Sequence, residues 1–466
     1  MYTKRAHIHF VGIGGIGMSG IATILHHLGY VISGCDVDMD QKSVEDLKAL
    51  GCSIHHGNNN KSCHDSTIDI LVYSSAMSKD NPEILAAKQR GIPTIPRALM
   101  LAELMRMKYS VAIAGAHGKT TTTSFISHIL IEVGFDPTVV IGGHLKNISN
   151  NARFGNGDFL VAEADESDRS LLKLFPTIAV VTNIDREHLD VYKDLDDIKN
   201  TFLQFLSNIP FYGKAFLCDD DQHLQAMLPE LTHIKTLQYG FSPSSDIYAT
   251  EVQLNPDHSI CLVHQKGTQI PLGNLIIPMP GRHNVLNALA ATAVALDLGV
   301  PFARIADALA QFKGVDRRFT FKGMYNGAMM FDDYGHHPTE ILNTLAVARR
   351  RTHKKLIVAF QPHRYSRTQA LWQEFIEVLA HSGVDKLLIT DIYPASEQPI
   401  DGITTQSFVE ALKLQYPACT VQYVPQDDQF EGIQYEIKKS AQEGDLILFL
   451  GAGKINKTAK YLISDQ

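Results

Sequence analysis

Three stretches of this 466-residue chain hold residue types that handle phosphate and its counter-cations. The first, Gly115-Ala116-His117-Gly118-Lys119-Thr120, lies between an apolar run, Val111 to Ala114, and a helix-forming stretch that opens on four threonines. A Gly-Lys-Thr loop at such a junction points backbone N–H groups and the positive end of a helix at phosphate, while the lysine reaches further along the polyphosphate. Thr120 and Thr121 can offer a hydroxyl to Mg²⁺. The long form of this pattern needs a glycine where the chain has Ile113, so the match is to a shortened loop. The plain alternative is an ordinary strand-to-helix turn.

Second, Val161-Ala162-Glu163-Ala164-Asp165-Glu166-Ser167-Asp168 puts four acids at the end of an apolar strand, where ligands gather at the edge of a parallel sheet. A carboxylate there can hold Mg²⁺, and Glu163, which terminates the strand, is the expected ligand. A solvated acidic loop is the alternative. Third, Thr182-Asn183-Ile184-Asp185-Arg186-Glu187-His188-Leu189-Asp190 offers the His188 imidazole among further acids, a candidate for a second metal. With 21 histidines in the chain, an isolated one is ordinarily structural or exposed.

Two further groups sit at strand ends. Gly12-Ile13-Gly14-Gly15-Ile16-Gly17, with Asp36 after the following strand, has the form GxGxxG between strand and helix. Glycine lets the backbone approach a diphosphate at the helix N-terminus, and NAD, FAD or a UDP-sugar would all qualify. Toward the C-terminus, Asp332-Asp333-Tyr334-Gly335-His336-His337-Pro338 and Gln361-Pro362-His363-Arg364-Tyr365-Ser366-Arg367 each end a strand and face a shared cleft. Arg364 and Arg367 form a candidate clamp for a carboxylate, because planar guanidinium groups bind it with paired hydrogen bonds. Solvated arginines at a helix entry are the alternative.

Positioning these loops requires strands and helices in alternation, and the chain supplies them. Apolar strands are expected at 7–11, 30–35, 68–73, 111–114, 159–162 and 178–182. Helices are expected at 98–107, after Lys119, and at 196–206, 283–298 and 301–312. Short alternating segments between Ser245 and Ile277 predict a small antiparallel addition. The pattern breaks at Gly314-Val315-Asp316-Arg317-Arg318-Phe319, and a last strand–helix series begins near Met329. At roughly 150 residues per domain the length suggests about three units, placed at 1–107, 108–314 and 315–466. The class is α/β with parallel sheets.

Composition narrows the function. Hydrophobic residues make up 45% and charged residues 20%, and no apolar run approaches a membrane-spanning length. The six cysteines show neither CxxC pairs nor metal-finger spacing, so free thiols are expected. A formal charge of -8 argues against a nucleic-acid partner. The opening residues carry no secretory pattern, so a cytoplasmic protein without membrane insertion is expected.

Taken in order, Gly12 to Gly20, Gly115 to Thr123, Glu163 to Asp168, Gly281-Arg282-His283-Asn284-Val285-Leu286-Asn287, Asp332 to Pro338 and Gln361 to Arg364 resemble the Mur ligases. The likeness runs co-linearly over nearly the whole chain. It implies a UDP-binding Rossmann-like domain, a central ATPase domain of P-loop type and a C-terminal Rossmann-like domain that admits an amino acid. It implies an ATP- and Mg²⁺-dependent ligase joining L-alanine to the lactyl carboxylate of UDP-N-acetylmuramate through an acyl phosphate. By the same likeness Lys119 and Thr120 handle the phosphates and Mg²⁺, Glu163 shares that metal, and His188 helps to bind a second. His283 and Asn284 then lie near the adenine, Arg318 approaches the phosphates, and Asp333 and Tyr334 line the nucleotide. His336, His363, Arg364 and Arg367 face L-alanine, while Gly14, Gly15, Gly17, Ser74 and Ser75 cradle the UDP diphosphate. Lys119, Glu163, His188, Arg318 and His336 are the catalytic candidates.

Asn58 stands where a histidine near the UDP site is expected in relatives, which puts local contacts in doubt. The alternatives are a muropeptide-recycling ligase that joins a peptide, or a nicotinamide-dependent oxidoreductase with an accessory ATPase. The wording from Gly12 to Gly20 and the paired His336-His337 favour alanine. A monomer or weak homodimer is expected.

Overall fold

The aliphatic runs become buried strands, and the stretches between them become helices. The computed structural model describes residues 5–57, 65, 67–74, 77–78, 80–145 and 150–464, and among these the strands form three sheets. In the first sheet, β1 (His7–Val11), β2 (Val31–Asp36), β3 (Ser53–His56), β4 (Ile70–Tyr73) and β5 (Thr94–Pro96) are all parallel, in the order β3-β2-β1-β4-β5. The order reverses between β1 and β4, which opens a crevice at the carboxyl end of β1, where the loop Gly12–Gly15 emerges.

The central sheet has ten strands. They are β6 (Tyr109–Ala114), β7 (Thr138–Leu145), β8 (Asn150–Arg153), β9 (Phe159–Glu163), β10 (Ile178–Val181), β11 (Lys214–Cys218), β12 (Lys235–Gly240), β13 (Ile247–Leu254), β14 (Ser259–Gln265) and β15 (Gly273–Ile277). Their order is β15-β14-β13-β12-β11-β10-β6-β9-β7-β8. The expected antiparallel addition is β13 to β15. It is not a separate sheet, because β12 pairs in parallel with β13 through Tyr239 and Gly240. The phosphate-loop strand β6 lies between β9 and β10, with Ile113 opposite Glu163 and Ala114 opposite Val181. That register brings the three chemistry-bearing loops of this domain to one edge.

The third sheet holds β16 (Thr320–Tyr325), β17 (Ala328–Asp333), β18 (Leu356–Phe360), β19 (Lys386–Ile389), β20 (Val421–Tyr423) and β21 (Leu446–Leu450), in the order β16-β17-β21-β18-β19-β20. The series thus begins one strand before Met329, with β16 as an antiparallel edge. The fully buried β21 sits between β17 and β18, so the loops after those two strands flank one cleft.

One continuous apolar cluster runs through the first and central domains. The seam is made by helix Ile16–His27 lying on β7 and β8. A Cβ on Gly20 would come 3.0 Å from the Ala152 Cβ, so the approach requires glycine there. His27 stacks on Phe154 with centroids 5.6 Å apart. The third sheet carries its own clusters on its two faces. No helix among the described residues is long and apolar enough to cross a membrane.

Candidate active site

The phosphate loop leaves β6 at Ala114 and enters helix Lys119–Glu132. It is held from β10's side, where the Asn183 amide donates to His117 O at 2.9 Å and Thr182 Oγ1 donates to the same carbonyl at 2.6 Å. Gly115 and Gly118 adopt φ of +130° and +84°, which favour glycine. A Cβ on Gly115 would stand 2.1 Å from Thr182 Oγ1. Gly115→Ala is therefore expected to destabilise the central domain by roughly 2–4 kcal/mol through strain and overpacking, seen as a lower thermal midpoint.

Lys119 folds back over the loop, its Nζ donating to Gly115 O (2.6 Å), Ala116 O (3.1 Å) and Glu166 Oε1 (2.7 Å). Burial works against its charge, but Glu166, Asp165 and Glu163 hold its pKa above the ordinary lysine value. Glu163 ends β9 beside the loop and accepts from the Gly142 N–H at 2.8 Å. Gly142 leaves the room for it, since a Cβ there would lie 2.8 Å from Glu163 Oε2. His188, at a left-handed φ of 54°, places Nε2 3.7 Å from Glu166 Oε1.

The second oxygen of Glu166 is buried without a hydrogen-bond partner among the described residues. An orphaned carboxylate oxygen in the acidic group around Lys119, to which Glu163 also belongs, is a hard-oxygen setting that suits Mg²⁺. The two close groups of potential ligands among the described residues are His9–Cys35–Glu83 and His117–Glu187–His337. Neither contains Glu163 or His188, which were expected on two different metals, Glu163 with Thr120 and His188 on a second. Glu166 was not singled out from sequence; its signal was membership of the acidic run after β9.

A cavity of about 400 Å³ opens beside the loop between the central and C-terminal domains. His117, Gly118, Thr121, His283, Asn284, Arg318 and Asp333 line it, bringing together expected nucleotide residues from both domains. Burial, with Arg318 nearby, pushes the His283 imidazole down to about 4, so it is neutral. Asp333 is committed internally, accepting from Phe319 N (2.7 Å), Gly335 N (2.8 Å) and Thr344 Oγ1 (2.9 Å). Tyr334 is not among the lining residues. Arg317 lies 4.8 Å and Arg318 5.6 Å from its ring centroid, and only the more distant Arg318 lines the cavity.

The loops after β17 and β18 bring His336 and His363 to 5.7 Å between centroids. Burial lowers them to about 4 and about 3 respectively, so both rings are neutral near pH 7. Arg364 and Arg367 line a second cavity of about 150 Å³ together with His188, but each guanidinium already has an acid partner. Arg367 Nη2 is 3.1 Å from Glu187 Oε2, and Arg364 Nη1 is 3.0 Å from Asp190 Oδ2. The expected clamp is thus also a tie between domains, and sequence reading missed its acidic half.

His117 completes that junction. Its Nε2 lies 2.9 Å from Asp185 Oδ2, and Asp185 also accepts from Thr339 Oγ1 at 2.7 Å. Burial disfavours the charged ring, yet Asp185 and Glu340 raise it to about 10. A pKa above the ordinary value of 6.5 means this contribution to stability is complete below pH 6.5 and is lost as pH rises through about 10. The thermal midpoint is expected to decline across that window, and His117→Gln should flatten the decline in calorimetric scans.

At the N-terminal edge, the Gly14 N–H donates to Asp36 Oδ2 at 2.8 Å, so Asp36 buttresses the glycine loop itself. A Cβ on Gly14 would meet that same oxygen at 2.9 Å. Gly15 lies at the start of helix Ile16–His27, and Ser74 follows β4 across the crevice. Gly17 has a different neighbour, Arg97, whose Nη1 lies 3.0 Å from where a Cβ would be. Ser75 and Asn58 lie outside the described residues.

Comparison with known proteins agrees with this layout. Residues 7–109 match the Mur ligase family catalytic domain, 113–295 the Mur ligase middle domain, and 317–453 the Mur ligase glutamate ligase domain. The chain is 50% identical over 463 residues to the UDP-N-acetylmuramate–L-alanine ligase of Geotalea uraniireducens, covering 99% of this chain and 98% of that one. Among solved structures, the UDP-N-acetylmuramate–alanine ligase of Thermotoga maritima superposes with a TM-score of 0.79 at 27% identity over 98% of both chains. The murein peptide ligase of Psychrobacter arcticus shares the fold, with a TM-score of 0.73 at 23% identity over 98% of both.

Proposed function

The chain belongs to the Mur ligase family, and from that premise we propose that it joins L-alanine to the lactyl carboxylate of UDP-N-acetylmuramate at the expense of ATP, in peptidoglycan precursor synthesis. The observation that carries this reading is the reach of the central loops. Asp165 meets Arg97 of the first domain, while Asp185 and Glu187 meet Thr339 and Arg367 of the third. A site assembled in this way can hold an acid, a triphosphate and an amine together.

An amine does not displace oxide from a carboxylate at neutral pH, so the acid is first phosphorylated by ATP. Bringing that anion to the triphosphate costs about 4 kcal/mol per opposing charge pair at 4 Å and an effective dielectric of 20. Lys119 and Arg318 offset the repulsion and stabilise charge on the transferring phosphoryl group. Mg²⁺ would supply further neutralisation, with Thr120 and Glu163 holding one ion and His188, with Glu166 beside it, a second. His336 Nδ1 lies 3.1 Å from Tyr334 O; donating its proton there leaves the lone pair of Nε2 to accept a hydrogen bond from the alanine amine. Neutral His363 beside it adds no repulsion toward an ammonium. Arg364 and Arg367 orient the amino-acid carboxylate.

We assign the UDP-sugar, ATP and amino-acid roles to residues 1–107, 108–314 and 315–466, and place the enzyme in the cytoplasm as a monomer or weak homodimer. Isotopic oxygen in the lactyl carboxylate should appear in the inorganic phosphate released during turnover with L-alanine. If all the label stays in the amide product, activation by phosphorylation is wrong.

A further inference from the structure

Helix Pro82–Gln89 covers a face of the first sheet that is polar where β1 and β2 run side by side. Alternate residues point to that face: His7, His9 and Val11 from β1, and Ser33 and Cys35 from β2. Ile8, Phe10 and Ile32 turn the other way, into the main apolar cluster. Glu83, in the first turn of the helix, closes over the polar side chains. His9 and Cys35 are 0% and Glu83 1% exposed. A carboxylate buried so deeply requires a counter-charge. Among the described residues its ion-pair partner is His9, with Nε2 3.5 Å from Oε2, longer than the roughly 2.7–2.9 Å of a charge-assisted hydrogen bond. Cys35 Sγ stands 3.2 and 3.0 Å from the two carboxylate oxygens, and its one proton is a weak donor. The imidazole nitrogen, the sulfur and a carboxylate oxygen all lie within 4.8 Å of one another. Ligands about 2.0–2.3 Å from a tetrahedral zinc ion stand roughly 3.3–3.8 Å apart, so small shifts would close this group on one. His9 is also held from behind, with Nδ1 2.8 Å from Ser33 Oγ, which lies 2.7 Å from His7 Nε2. With its proton on Nδ1, the ring turns the Nε2 lone pair toward the other two donors, the outer support that histidine ligands ordinarily have.

We propose that His9, Cys35 and Glu83 bind a structural Zn²⁺ ion beneath the glycine loop. Glu83 binding through both oxygens completes a set of four donor atoms. A thiolate, a carboxylate and a neutral imidazole cancel the charge of the ion, so the filled site is neutral and stays buried. Sulfur and imidazole select zinc over Mg²⁺, which takes oxygen. The thiol proton leaves to solvent as the metal enters, and because the donors are sealed from water the ion is taken up as the domain folds. Cys35 O accepts from the N–H groups of Gly12 (2.9 Å) and Ile13 (3.0 Å), so fixing Cys35 braces the loop that leaves β1. Cysteine spacing gave no sign of this site because the donors come from three elements, with Cys35 and Glu83 48 positions apart.

The test is metal analysis by inductively coupled plasma mass spectrometry of the full chain, produced with zinc in the medium and dialysed against EDTA while folded. The parent should keep about one zinc ion per chain, and Cys35→Ser and Glu83→Gln should each keep about 10-fold less. His117→Ala should keep as much as the parent. Production with cobalt in place of zinc should give thiolate-to-cobalt absorption in the parent and none in Cys35→Ser. The thermal midpoint of the parent should be higher when it is produced with zinc than without, and that of Cys35→Ser should not respond. A parent that carries no zinc would overturn the proposal, and that measurement needs no variant to fold. Equal zinc in the parent and both variants would overturn it too. So would a loss in His117→Ala but not in Cys35→Ser, which would place the ion in the His117–Glu187–His337 group.

Discussion

Lys119→Ala is expected to lower kcat by about 10² to 10³, equivalent to roughly 3–4 kcal/mol of transition-state stabilisation. The ammonium is the cation of the phosphate loop, and nothing in an alanine replaces it as charge develops on the transferring phosphoryl group. The variant also strands Glu166, whose side chain is only 4% exposed and whose Oε1 holds the ammonium at 2.7 Å. A lone buried carboxylate is costly, so the thermal midpoint should fall as well. Combining Lys119→Ala with Glu166→Gln removes the stranded charge, and Glu166→Gln alone is the control for any loss of metal. The double variant should regain the midpoint and remain slow. Recovery of turnover along with the midpoint would mean that Lys119 serves the fold and not the reaction.

Glu187→Ala is expected to loosen the contact between the central and C-terminal domains by about 3–5 kcal/mol, the usual consequence of removing one partner of a buried ion pair. Glu187 and Arg367 are 6% and 7% exposed, and Nε and Nη2 of the arginine both point at Oε2, at 3.3 and 3.1 Å. Burial raises the pKa of Glu187, but Arg367 and the imidazoles of His337, His336 and His188 bring it well below the carboxylate range. The penalty falls on the domain contact because each partner belongs to a different sheet's loop. Small-angle scattering should show a larger radius of gyration, and the KM for L-alanine should rise more than that for UDP-N-acetylmuramate. An unchanged scattering profile would show that this pair does not hold the domains together.

The elements proposed to bind phosphate were legible in the sequence because their chemistry is local. Glycines that need positive φ, a lysine at a helix start and an acid ending a strand announce themselves within a few residues. The strands named from sequence are largely apolar and buried, as parallel strands are, although β1 and β2 also bury His9 and Ser33. β3, β5, β7, β8 and β16 escaped as short, edge or near-edge strands with glycines and polar residues; β11 and β12 also went unnamed although they lie inside the central sheet. The partners of the site residues were harder to find. Arg97 and Asp165 are 68 positions apart, and Arg367 and Glu187 are 180 apart. Such pairs depend on how domains meet, which no periodicity encodes. The acids that occupy Arg364 and Arg367 stood in a segment already singled out, but only the assembled fold shows that they face the arginines.

The apolar cluster that runs unbroken from β1 to the last helices of the central domain leaves the molecule one joint instead of two. On the proposed assignment, where the acid lies relative to the triphosphate would be fixed once, as the chain folds. On that same assignment, closure of the last 150 or so residues would bring the amine in at each turnover, and a slower swing would mean a slower enzyme.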